Sequence, residues 1–186
     1  MPSRVPAPAL AALLVLAAGE GCLPSPAARP TVRTIPPRRP AAAPARPAAS
    51  DSAGLAALRR EVLSEVNAER VRRGREPLGR DPALEEAAQR HAEDMLRRRY
   101  FDHESPEGRS VRDRVEDAGY SWRIVGENLA SGPRTPGEAV DGWMGSTAHR
   151  RVLLDRRFTD LGVGYAEAGG SRRSLRLWVQ VFGGPR

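Results

Sequence analysis

An α+β domain over residues 55–186, with helices packed on a small antiparallel sheet, is the fold class that three observations predict. Apolar residues recur at helical spacing from Leu55 to Met95, strand-like segments come later in the chain, and all nine aromatics lie between Tyr100 and Phe182. Helices first and strands afterwards argue segregated layers rather than alternating βαβ units. The aromatics place the core late in the chain.

Leu55, Leu58, Val62 and Val66 repeat every three to four residues among the polar Arg59, Arg60, Glu61, Glu65 and Glu69, so residues 55–73 form an amphipathic helix that Gly74 ends. Asp81-Pro82 starts a second helix: an acceptor at the cap, proline at the first helical position, and Glu85 and Glu86 near the positive end of the dipole. Leu84, Ala88, His91 and Met95 share one of its faces, and Arg97, Arg98 and Arg99 suit its negative end. After the polar loop Asp102–Gly108 comes a short helix, Val111–Ala118, closed by Gly119. Tyr120–Val125 has strand composition and runs into Gly126-Glu127-Asn128; Pro136 opens a helix carrying Val140 and Trp143, and Ser146–Leu154 makes a further helical turn. Leu161–Ala166 and Leu175–Phe182, separated by Gly169-Gly170, form an antiparallel pair.

The formal charge of +7 comes from 30 basic residues, all arginine, against 23 acids. Four of those charges fall in residues 23–54 and three in 55–186, where 24 arginines face 21 acids. A nearly balanced domain with no nucleic-acid-binding module predicts no nucleic acid partner. The mean hydropathy of −0.50 excludes a multi-span membrane protein.

Residues 1–22 read as an export signal of lipoprotein type: Arg4, a twelve-residue apolar run Ala7–Ala18, then small residues around Cys22. Cys22 is the single cysteine, and Gly21-Cys22 resembles the lipobox at which bacterial lipoproteins are cleaved and lipidated, although Gly19 and Glu20 depart from that pattern. The alternative is ordinary secretion with cleavage near Ala17-Ala18-Gly19. Residues 23–54 hold eight prolines and nine alanines without an aromatic, the composition of an extended disordered linker, at roughly 3 Å per residue.

Three histidines are present. His91, on the apolar helix face, reads as a partly buried side chain with one polar partner. His103 lies in a loop just past a helix end, His149 follows Ser146 by three residues, and Glu127 sits between a glycine and an asparagine. The segments HESPEG (103–108), GEN (126–128), WMGSTAHR (143–150), FTDLGVGYA (158–166) and LWVQVFG (177–183), with VNAER (66–70) upstream, resemble the bacterial SCP-like branch of the CAP superfamily, in its order, over residues 55–186. That resemblance implies an α-β-α sandwich. It also implies a cleft, which in eukaryotic members holds two histidines and two acids. His103 resembles the first histidine and Glu127 the first acid; Ser146 stands where the second acid falls and Leu177 where the second histidine falls, leaving His149 as the substitute.

The expectation is an exported cell-envelope protein, lipid-anchored at Cys22 or secreted, whose cleft of His103, Glu127, Asn128, Ser146, His149 and Gln180 binds an envelope lipid, peptide or wall polymer. Three arrangements of its chemistry stay open. His103 and His149 with Glu127 could hold a divalent metal such as Zn²⁺. Ser146, His149 and Glu127 could form a nucleophile relay in a hydrolase. The same polar residues could instead form a hydrogen-bond network that holds loops over the sheet in a non-catalytic interaction domain.

Overall fold

The computed structural model describes residues 49–169 and 174–185. The signal segment 1–22, Cys22 and most of the proline-rich linker lie outside the described residues. The elements are α1 (Ala49–Arg72), β1 (Gly79–Arg80), α2 (Pro82–Arg98), α3 (Val111–Asp117), β2 (Trp122–Ser131), α4 (Pro136–Gly145), α5 (Thr147–Leu153), β3 (Asp160–Ala168) and β4 (Leu175–Pro185). Helix α1 begins at Ala49, inside the stretch assigned to the linker. Pro47 is the last proline of that stretch, and the residues after it carry no strong helix breaker until Gly54, which a long helix tolerates.

Helix boundaries follow their caps. Asp81 accepts a hydrogen bond from the Leu84 amide at 2.9 Å, and Pro82 fills the first helical position. Ser110 and Asp113 form a capping box at α3. Thr135 accepts from the Glu138 amide at 3.2 Å ahead of α4.

The sheet order is β1-β3-β4-β2. Its three long strands are antiparallel as expected, and the two-residue β1 adds a parallel pairing with β3 that was not anticipated, because two residues carry no periodicity. Strand β2 extends through Gly126-Glu127-Asn128 to Ser131, so these residues are strand rather than loop.

The sheet separates two cores. Leu177, Val179 and Val181 face α2 and pack with Leu84, Ala88, Ala92, Met95, Val115 and Leu129. Trp178 and Phe182 face the other way, into Val62, Val66, Val140, Trp143, Leu153 and Phe158. Strand β3 shows the period of two most sharply: Leu161 and Val163 enter the second core, while Gly162 and Gly164 meet the α2 backbone. This is the α-β-α sandwich.

Candidate functional site

Glu127 and Asn128, two of the expected cleft residues, point to opposite faces of β2, while the His149 ring lies near enough to His103 to feel its charge. Glu127 pairs in register with Val181 and Asn128 with Gln180, so consecutive side chains point to opposite sides of the sheet.

On the α2 side, the Glu127 carboxylate is 2% exposed, and each of its oxygens is taken. His103 Nδ1 donates to Oε1 at 2.8 Å, and Arg114 Nη2 donates to Oε2 at 2.7 Å. Arg114, on α3, also donates to the carbonyls of His103 and Arg109, each at 3.0 Å. It therefore ties the loop bearing His103 to the acid beneath. The His103 side chain is 56% exposed, and its Nε2 has no protein partner among the described residues.

His91 supports this loop from below. Fully rather than partly buried on α2, it places Nε2 3.0 Å from the carbonyl of Asp102, the residue before His103, and has a second polar neighbour in the Tyr100 hydroxyl, 3.5 Å from Nδ1. Tyr100 lies beside it and donates its hydroxyl to Asp94 at 2.8 Å.

On the opposite face, the Asn128 amide donates to Gln180 Oε1 and to the His149 carbonyl, both at 3.2 Å. Asn128 and Gln180 are fully buried, and Asn128 Oδ1 and Gln180 Nε2 lack a partner among the described residues. This pair pins α5 against the sheet, the role of a buried network. Ser146 is the joint between α4 and α5, closing one helix and opening the next. Among the described residues no hydrogen bond links Ser146 to His149 or His149 to Glu127. The relay Ser146–His149–Glu127 is therefore not assembled, because Glu127 already holds His103 and Arg114.

Nor do these residues fit a three-ligand zinc centre. Among the described residues no group of three His, Cys, Asp or Glu is placed to hold a metal ion. Glu127 already carries the Arg114 guanidinium where the metal arrangement would need an open carboxylate oxygen. Sequence reasoning missed Arg114, which lies outside every quoted motif. The one available signal was its place on the short helix directly after the HESPEG loop.

The histidines titrate in opposite senses. The Glu127 hydrogen bond raises His103 above the ordinary 6.5, whereas burial lowers His91, and burial together with the nearby His103 lowers His149. The His103 contribution to stability is complete below pH 6.5 and is lost as pH rises through its raised value; His91 and His149 oppose folding as pH falls from 6.5 through their lowered values. Stability should therefore decline on both sides of near-neutral pH. Urea titrations across that range should show the alkaline decline flattened in His103→Gln and in Glu127→Gln, with the acid decline retained; an unchanged alkaline slope in His103→Gln would refute the assignment.

Comparison with known proteins agrees with this architecture. Residues 63–182 match the model of the CAP family, the cysteine-rich secretory protein family. The protein YkwD of Bacillus subtilis is 38% identical over 133 residues, which are 72% of this chain and 49% of that protein, so the chain spans about half the length of this relative. A crystal structure of an extracellular SCP-domain protein from Bacillus anthracis superposes with a TM-score of 0.63 at 27% identity, covering 75% of this chain and 45% of that one. An outer surface protein of Borrelia burgdorferi shares the fold, with a TM-score of 0.60 at 22% identity over 68% of this chain and 92% of that one. Among the described residues no helix is long and apolar enough to cross a membrane. With the motifs in order, the two-core sandwich in place and most of the domain matched by the family model, the chain belongs to the CAP family, in its bacterial SCP-like form.

Proposed function

We propose that this chain is an exported cell-envelope protein whose CAP domain binds an envelope ligand, a lipid, peptide or wall polymer, through an acceptor oxygen docked on His103. One observation carries the reading: a half-exposed imidazole with a free Nε2 stands on a buried carboxylate that is already paired with Arg114. Such an imidazole is cationic up to its raised pKa and presents a charge-assisted donor to solvent. Glu127, with both oxygens engaged, is not poised as a base. Export is supported by the basic, apolar and small-residue succession of residues 1–22 and by the extracellular nature of the Bacillus anthracis relative.

Soluble peptidoglycan fragments titrated into the full chain should bind below the raised pKa of His103 and weaken above it. His103→Ala should weaken binding on the order of tenfold, the worth of one charge-assisted hydrogen bond. Equal binding by His103→Ala would refute the reading. The tether is proposed to run through Cys22: metabolic labelling with a fatty acid should mark the full chain and be lost in Cys22→Ser, and equal labelling would refute it.

A second reading is favoured by the 2.8 Å His103–Glu127 contact, which is the geometry of a carboxylate-oriented general base. It requires cleavage products from the same fragments that disappear in His103→Ala. Binding without products supports recognition.

A further inference from the structure

A shallow pocket of about 560 Å³ lies where the loop after α1, helix α5 and the turn at 154–157 converge, and it is lined by Arg75, Arg150, Arg151, Arg156, Leu154 and Asp155 among others. Its volume is that of a small-molecule site, roughly 300–1,000 Å³. The charge balance of the whole domain conceals this patch, because Arg75 is far in sequence from the other three arginines.

Many arginines elsewhere in the domain are matched with carboxylates, among them Arg59 and Arg80 with Glu85, Arg98 with Glu107, and Arg114 with Glu127. Among the described residues the four pocket arginines make no ion pair. Arg75 Nε donates to the Leu154 carbonyl at 3.0 Å and Arg150 Nη1 to the Met144 carbonyl at 2.9 Å. These contacts fix both guanidinium groups without neutralising them and leave their other N–H groups available. The one lining carboxylate, Asp155, has both oxygens held by Arg157, the shortest contact being 2.6 Å. It is thereby screened from an incoming anion.

Four uncompensated cations in one concavity repel one another and are stabilised by a polyvalent anion. A single carboxylate satisfies one planar guanidinium fork; several forks from separate segments match several oxyanions, and phosphate is the group arginine binds bidentately with the greatest charge. Leu154 and the arginine stems supply apolar wall for the part of the ligand between phosphates.

We propose that this basin binds a ligand carrying two or more phosphate groups, at a site distinct from His103. The test uses the full chain and inorganic tripolyphosphate, followed by calorimetry at physiological salt. Replacing Arg151 and Arg156, both exposed and without ion pairs, by serine should weaken binding about tenfold or more without changing the melting temperature. The charge-matched replacement of Arg60 and Arg123, exposed arginines outside the basin, should leave affinity within about twofold. Phosphatidylglycerol vesicles form a second arm. Vesicle binding that needs Arg151 and Arg156 and is displaced by tripolyphosphate assigns the phosphates to a membrane surface. Tripolyphosphate binding without vesicle binding assigns them to a soluble or polymeric phosphate ester. Either result supports the basin. Equal losses in the two double variants, or no tripolyphosphate binding, would overturn it.

Discussion

Gly162→Ala should destabilise the domain by about 4 kcal/mol, at the severe end for a single methyl group. A Cβ at position 162 would lie 2.1 Å from the carbonyl carbon of Leu84 and 2.3 Å from the amide nitrogen of Glu85. Both neighbours are helix backbone, so no rotamer change relieves the clash and α2 must lift from β3. Lifting α2 opens the core in which Leu84, Ala88 and Met95 meet Val179 and Val181. It also carries away His91, whose contact with the Asp102 carbonyl sets the approach to His103. The variant should therefore lower the denaturation midpoint and shift the His103 ring resonances together. Gly142→Ala, in α4 with nothing within 4 Å of the added Cβ, is the control and should be neutral to mildly stabilising, by about 0.5–1 kcal/mol. Equal stability of the two variants would refute the close approach of α2 and β3.

Arg70→Met should cost about 3 kcal/mol. Arg70 is fully buried, yet among the described residues it has no carboxylate partner. Its guanidinium donates to four carbonyls, those of Leu153 at 2.7 Å, Glu76 at 2.8 Å, Asp155 at 3.1 Å and Phe158 at 3.4 Å. Burial lowers its pKa, but an arginine remains charged at any pH of interest, so its stability rests on those bonds. Methionine keeps much of the volume and leaves the carbonyls without a donor. Hydrogen exchange should rise over residues 153–158, where three of the four acceptors lie, and Arg70→Lys should fail to restore protection because one ammonium cannot reproduce the planar fork. Unchanged exchange in Arg70→Met would show the cage to be dispensable.

These two residues mark the limit of what the sequence made legible. Asp81-Pro82 and Pro136 placed the starts of α2 and α4, because a cap acceptor and a proline at the first helical position perform local chemistry that depends little on the rest of the fold. The motif order that identified the family was equally local. Neither the burial of Arg70 nor the hold of Arg114 on Glu127 was legible, since in a chain whose every basic residue is arginine a caged guanidinium and a solvated one read alike. The division of the cleft followed from extending β2 through Glu127 and Asn128: once both are strand, the period of two sends one to each face. Glu127, with His103 docked on it, lies on one side of the sheet, and the Asn128–Gln180 pair lies on the other.

The strand order β1-β3-β4-β2 bears on when this domain becomes folded. Strand β4, the last in the chain, lies between β3 and β2 and supplies the middle of both cores. A chain emerging from its N-terminus has the five described helices and the other three described strands in hand before the element that joins them exists. Its sheet is assembled from contacts remote in sequence, the slow kind to form. Until Leu175–Pro185 is available the polypeptide is therefore without its completed sheet, a state suited to being threaded through a narrow passage before it closes into final shape.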